Sequence, residues 1–147
     1  MPDQDPDSNL WAIELRSGAD KKVSFAMIDL GVSLVKWQVS PEATDWWTSL
    51  TAFSYGKVYL HNYRYPDIPE PTDLLMLDAQ SGELQWVIPN YVLVQSLNEH
   101  YIEVATKVGE QFLYRYCKAE SGILANDLVG DKHEADQIIL REPVRYK

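Results

Sequence analysis

Residues 46–65 hold the densest collection of side chains that could bind a ligand. Trp46, Trp47, Tyr63 and Tyr65, with His61 among them, have the faces on which a sugar or a proline-rich peptide stacks, and a neutral His61 supplies a hydrogen bond. On an extended strand the neighbours Trp46 and Trp47 point to opposite faces, so one of them lines any given surface. Tyr59, His61 and Tyr63 share a face by period two. The competing use of these residues is an aromatic core between sheets with a rim of half-buried rings.

Other chemistry is thinner. Asp3, Asp5, Asp7, Asn9 and Glu14 fall at positions 1, 3, 5, 7 and 12 of a calcium-loop spacing, which places oxygen ligands at alternate residues for a hard cation. Ser8 stands where that loop needs glycine, Pro6 stiffens it, and 10–16 reads as a strand rather than a helix. The stretch is therefore an acidic terminus, and no metal is expected. His61, His100 and His133 are scattered without zinc spacing. No nucleophile elbow, phosphate-cradling glycine loop or dinucleotide fingerprint occurs. The single cysteine, Cys117, cannot close an internal disulfide and reads as a buried structural thiol. No catalytic set emerges.

Charge narrows the partners. With 22 acidic and 13 basic residues the chain carries −9, a field that repels nucleic-acid backbones and anionic membrane surfaces. The start, MPDQDPDSN, lacks a signal peptide's basic and apolar regions, and no apolar run approaches the roughly 20 residues of a membrane span. A cytoplasmic protein is expected, with a protein partner or self-association in place of nucleic acid or membrane.

The elements that must position these residues are short and alternating. Apolar and polar residues alternate in about a dozen runs, from LWAIELR (10–16) to IILREPVRY (138–146), each ended by turn residues such as Ser17-Gly18, Tyr55-Gly56 and Ser121-Gly122. The pattern predicts an all-β antiparallel meander and no helix, with DKHEADQ (131–137) as a loop. RYPDIPEPTD (64–73) carries three prolines, which remove ladder donors, so it reads as a surface insertion. A 147-residue chain suits one domain: a flexible acidic 1–9, then a single unit over 10–147.

LLMLDAQSGELQW (74–86) organises the rest. FAMIDLGVSLVKW (25–37) repeats its Met, Asp and Trp at an offset of 49, and AESGIL (119–124) repeats AQSGEL (79–84) at an offset of 40. The spacing implies a strand ending in Asp78, a turn closed by Gly82, and a second strand that offers Trp86 to a neighbouring sheet. In the copies, Asp29 and Trp37 are kept with Ser33 in the glycine place. Gly122 is kept with Lys118 and Asn126 in the Asp and Trp places.

On Leu77, Asp78, Ser81, Gly82 and Trp86 the stretch resembles the tryptophan-docking repeat of quinoprotein (PQQ-like) and WD-type β-propellers. The Trp-Trp-x-x-Leu (46–50), Leu-His-x-Tyr (60–63) and proline-rich (66–71) segments also resemble an uncharacterised bacterial propeller-like family, over residues 10–125. The resemblance implies four-stranded blades: 10–39 completed by 138–146, then 46–88 and 91–128. In the quinoprotein enzymes it further implies a quinone on the axis of a larger ring, held with an adjacent cysteine pair, a stacking Trp and calcium. One cysteine and about three units leave no place for it here, so no cofactor is expected.

Three blades fall short of the four to eight of closed propellers. The expectation is a non-enzymatic binding or interaction module, part of a larger or dimeric propeller. The rival is a closed β-meander barrel holding a small apolar or sugar-like ligand.

Overall fold

In a computed structural model, which describes residues 3–4, 9–65 and 68–125, the chain is a row of three antiparallel sheets. The first holds β1 (Asp3–Gln4), β2 (Leu10–Ser17), β3 (Lys22–Asp29) and β4 (Leu34–Val39). The second holds β5 (Ser49–Ser54), β6 (Lys57–Tyr65), β7 (Ile68–Asp78) and β8 (Leu84–Pro89). The third holds β9 (Val92–Ser96), β10 (Tyr101–Val108), β11 (Gln111–Lys118) and β12 (Leu124–Ala125). In every sheet the strands lie in chain order, joined by hairpins. The sheets are the blades of a propeller-like array, and none closes into a barrel; the barrel expectation is overturned.

Period-two alternation makes the middle sheet a two-faced wall. From β6 and β7, Val58, Leu60, Leu75 and Leu77 join Phe25, Met27 and Trp37 of the first sheet in one core. Their neighbours Tyr59, Leu74 and Met76 join Ile102, Val104 and Cys117 of the third sheet in another. Apolar residues therefore run unbroken from Leu74 to Leu77 in β7, as in a strand segment buried on both faces.

Three expectations change. The fourth place in the first sheet is taken by β1, with Asp3 opposite Ala12 and Gln4 opposite Trp11. The strand expected over 138–146 and the loop over 131–137 lie outside the described residues. The proline-rich stretch is not an insertion: β7 begins at Ile68, with Tyr65 opposite Ile68 and Tyr63 opposite Pro71 across two register irregularities. Proline is tolerated because β8 reaches only as far as Pro89 opposite Asp73, with Asn90 N–H donating to the Thr72 carbonyl just beyond. Among the described residues, 68–71 therefore pair on one side alone. Lastly, Trp46 and Trp47 precede β5, in a turn where Thr48 N–H donates to the Asp45 carbonyl and Trp47 N–H to Asp45 Oδ1. The opposite-faces argument, which assumed a strand, does not apply to them.

Candidate interaction surface

The repeated unit builds each joint between sheets. Trp37 Nε1 donates to the Ala79 carbonyl at 2.7 Å, and Trp86 Nε1 donates to the Ala119 carbonyl at 2.8 Å. Each indole lies flat on the glycine that closes the receiving turn. A Cβ on Gly82 would stand 2.7 Å from the Trp37 ring, and one on Gly122 2.7 Å from the Trp86 ring. Both glycines also have positive φ, so the close approach and the backbone require the same residue.

The receiving turns match bond for bond. Gly82 N–H donates to the Asp78 carbonyl and Gly122 N–H to the Lys118 carbonyl, both at 2.8 Å. Ser81 Oγ and Ser121 Oγ accept the N–H of Glu83 and Ile123. Lys118 can thus replace Asp78 because the backbone carbonyl makes the turn bond. The Asp78 carboxylate adds a bond from the Ser81 hydroxyl, and Asp29 Oδ1 accepts Gly31 N–H in the first sheet. Leu30, Ala79 and Ala119 occupy one place in the three turns, and each donates its N–H to the carbonyl of an earlier turn residue: Asn9, Gly56 or His100.

A second contact crosses each joint at equivalent register. Glu14 lies four residues along β2 from Leu10, which faces Asp29; His61 lies four along β6 from Lys57, which faces Asp78. Glu14 Oε1 accepts the N–H of Leu50 at 2.8 Å, and His61 Nε2 accepts the N–H of Leu93 at 3.0 Å. Leu50 and Leu93 are each the second residue of the next sheet's first strand. An acceptor at Nε2 puts the imidazole proton on Nδ1, where it reaches Thr51 Oγ1 at 2.9 Å. Burial lowers the His61 pKa to about 4, so the ring is neutral. Burial also raises the Tyr59 phenol, with Cys117 adding to it, and pushes the Cys117 thiol up to about 12 against the opposing pull of Arg115.

The expected aromatic platform is therefore divided. His61 is buried in the second joint with Tyr59, whose ring lies 6.3 Å from that of Trp86. Trp46 lies at the first joint, flanked by Arg16 at 5.1 Å and Lys21 at 5.2 Å from its ring. Arg16 also donates to the carbonyls of Trp46 and Thr48 and pairs with Glu14 at 2.7 Å. Trp47 meets Trp46 edge-on at 6.5 Å and is exposed. Tyr63 is half-buried, and burial raises its pKa with the charge of Glu14 adding to it. Tyr65 ends β6, and its side chain is outside the described residues.

Sequence reading missed the pairing of Glu14 and His61, because each partner is a backbone amide more than 30 residues away. Glu14, the last ligand of the calcium spacing, is held by Arg16 and Leu50 instead. Cys117 lies under the second joint with no second cysteine in the chain, which does not fit the adjacent pair of a quinone site.

The end sheets differ from the middle one. On the first sheet, the face turned away from the second carries Trp11, Ile13, Ala26, Ile28, Leu30 and Val35. By register these answer to Val58, Leu60, Leu75, Leu77, Ala79 and Leu84, the residues on which the first sheet presses in the second. Leu30 and Val35 are 56% and 55% exposed, and Val32 and Leu34 beside them are as open. On the third sheet, Phe112 and Tyr114 are exposed while Glu103, Ala105 and Tyr116 on the same face are buried, and a groove of about 300 Å³ runs from Phe112 and Lys107 to Pro71 and Thr72 of the second sheet.

With the geometry in place, comparison with known proteins adds a family and a fold. Residues 4–86 match a family model described as a domain of unknown function, DUF4905. The chain belongs to this family. The matched region spans the first sheet and the second as far as its docking Trp86. No curated protein matches the sequence. Among solved structures the chain is similar to a europium-containing methanol dehydrogenase, at 14% identity and a TM-score of 0.50, over 79% of this chain and 22% of the enzyme. At that identity the likeness is one of fold, and the chain spans about a fifth of the enzyme's length.

Proposed function

We propose that the chain is a non-catalytic interaction module of the propeller type, which engages a protein partner through the open face of its first sheet. The observation that carries the reading is the register match between Trp11, Ile13, Ala26, Ile28, Leu30 and Val35 and the corresponding core residues of the second sheet. The same apolar pattern that serves as an internal joint in one sheet recurs in the other, where Ala26 is buried, Trp11, Ile13 and Ile28 are half-buried, and Leu30 and Val35 stand open beside Val32 and Leu34. Contiguous apolar surface of this kind marks association sites. Of the candidate aromatic and histidine groups, Trp46 and His61 bind across the joints between sheets, which supports a scaffold over a catalyst.

The test is cross-linking of the tagged chain inside its native cells, with Leu30→Glu/Val35→Glu as the comparison. Both side chains are largely exposed, so the fold tolerates the change. The double variant is expected to lose the cross-linked species that the wild type forms. The same species at equal yield in both would overturn the reading.

A further inference from the structure

We propose that the groove beside the second joint is a binding site for a small hydroxylated carboxylate, a single sugar-acid (uronate) ring. The site lies away from the open face of the first sheet and does not depend on the interaction-module reading.

Three elements build the groove. The arm of β7 supplies Pro71 and Thr72, the link from the second sheet to the third supplies Asn90, and the β10–β11 hairpin supplies Thr106, Lys107 and Phe112. Asn90 ties the three together. Its N–H donates to the Thr72 carbonyl, and its own carbonyl accepts the Thr106 hydroxyl at 2.6 Å. It makes both bonds from left-handed backbone, φ 68°, which asparagine enters more readily than most residues. Its main-chain groups are thereby engaged within the fold. Its exposed side-chain amide lines the groove and has no hydrogen bond among the described residues.

Charge and shape set the ligand. Lys107 is the one ionisable side chain among the described lining residues, and it enters no ion pair among the described residues. In a chain of net charge −9, a groove with an ammonium and no carboxylate on its described walls favours an anion. Phe112 stands directly across the strand pair from Lys107, with its ring 53% exposed, and Pro71 lies at the other end of the groove. These two rings offer flat apolar faces to the C–H face of a sugar. The Thr72 hydroxyl and the Asn90 amide, both without a partner among the described residues, are donors and acceptors for its hydroxyl groups. A volume of about 300 Å³ is at the lower limit of ligand pockets, which suits one ring.

The test is titration of the isotope-labelled full chain with D-galacturonate, followed by backbone amide chemical shifts. Saturable shifts are expected at Thr72, Asn90, Thr106, Lys107 and Phe112, with a dissociation constant of about 1 mM for a ligand of about thirteen non-hydrogen atoms. Lys107→Met and Asn90→Gly are each expected to weaken binding about tenfold with amide spectra otherwise unchanged. Glycine keeps the positive φ, so that variant removes the side-chain amide alone. D-galactose, which lacks the carboxylate, and benzoate, which lacks the hydroxyls, are each expected to bind about tenfold more weakly than galacturonate. Either one binding as tightly as galacturonate would overturn the ligand class. A galacturonate trimer that binds more tightly than the monomer would overturn the single-ring assignment. The absence of saturable shifts up to about 50 mM, or unchanged affinity in Lys107→Met, would overturn the site itself.

Discussion

At the joint between the first and second sheets a carboxylate, Glu14, accepts the leading strand's amide; at the joint between the second and third an imidazole, His61, does so in the same register. The tryptophan locks beside them are alike in ring, glycine and carbonyl acceptor. The Glu14 side is braced by Arg16 near the surface, while the His61 side is sealed from water. A repeated fold thus keeps its apolar lock fixed and varies the polar closure. The two joints consequently respond to different conditions.

The largest effects should come from the shared lock. Trp37→Ala and Trp86→Ala each remove a ring that is 9% exposed and leave a cavity, with an expected loss of about 3–5 kcal/mol in urea unfolding. The two losses should be similar. A Trp37→Ala loss below about 1 kcal/mol against a full Trp86→Ala loss would break the claim of one plan.

Next in size is acid sensitivity at the second joint. The folded His61 pKa of about 4 lies below the ordinary 6.5, so between those values the unfolded chain binds a proton that the folded chain refuses. Stability therefore falls as pH drops from about 6.5 to 4, by on the order of 3 kcal/mol from this group. His61→Phe should flatten the wild-type curve across that window. At neutral pH it should cost about 1–3 kcal/mol, because the Leu93 amide and Thr51 hydroxyl lose their partner. Parallel pH curves for wild type and variant would refute the assignment.

The smallest change is expected at the first joint. Arg16→Met keeps the aliphatic stem and removes the guanidinium from Glu14 and the Trp46 and Thr48 carbonyls. A loss of about 1 kcal/mol, smaller in 1 M salt than in dilute buffer, is the expected result in thermal melts. A salt-independent loss would mean that this closure is steric.

What the sequence disclosed follows from how local each interaction is. Asp78, Gly82 and Trp86 lie within nine residues and form a turn and a facing ring, so their spacing alone indicated sheets docked on sheets. Alternation along Val58–His61 likewise disclosed two faces. The polar closures were hidden because their partners are backbone amides, which every residue except proline possesses and no spacing marks. Trp46 and Trp47 were misplaced because aromatic content suggested a strand, while Asp45 and Thr48 form a turn through their own side chains. The proline stretch was misread because the rule against proline assumes a strand paired on both edges.

That proline stretch has a consequence for the life of the chain before it is folded. The end of the β6–β7 hairpin projects past β8 and leaves one side of residues 68–71 without a neighbouring strand among the described residues. Bare backbone of this kind invites strand addition from other nascent chains and so aggregation. Every second amide there, at Pro69 and Pro71, has no hydrogen to give. Prolines in an edge segment are one of the devices by which proteins blunt strand addition, so the hairpin that extends furthest also carries residues that discourage misassembly.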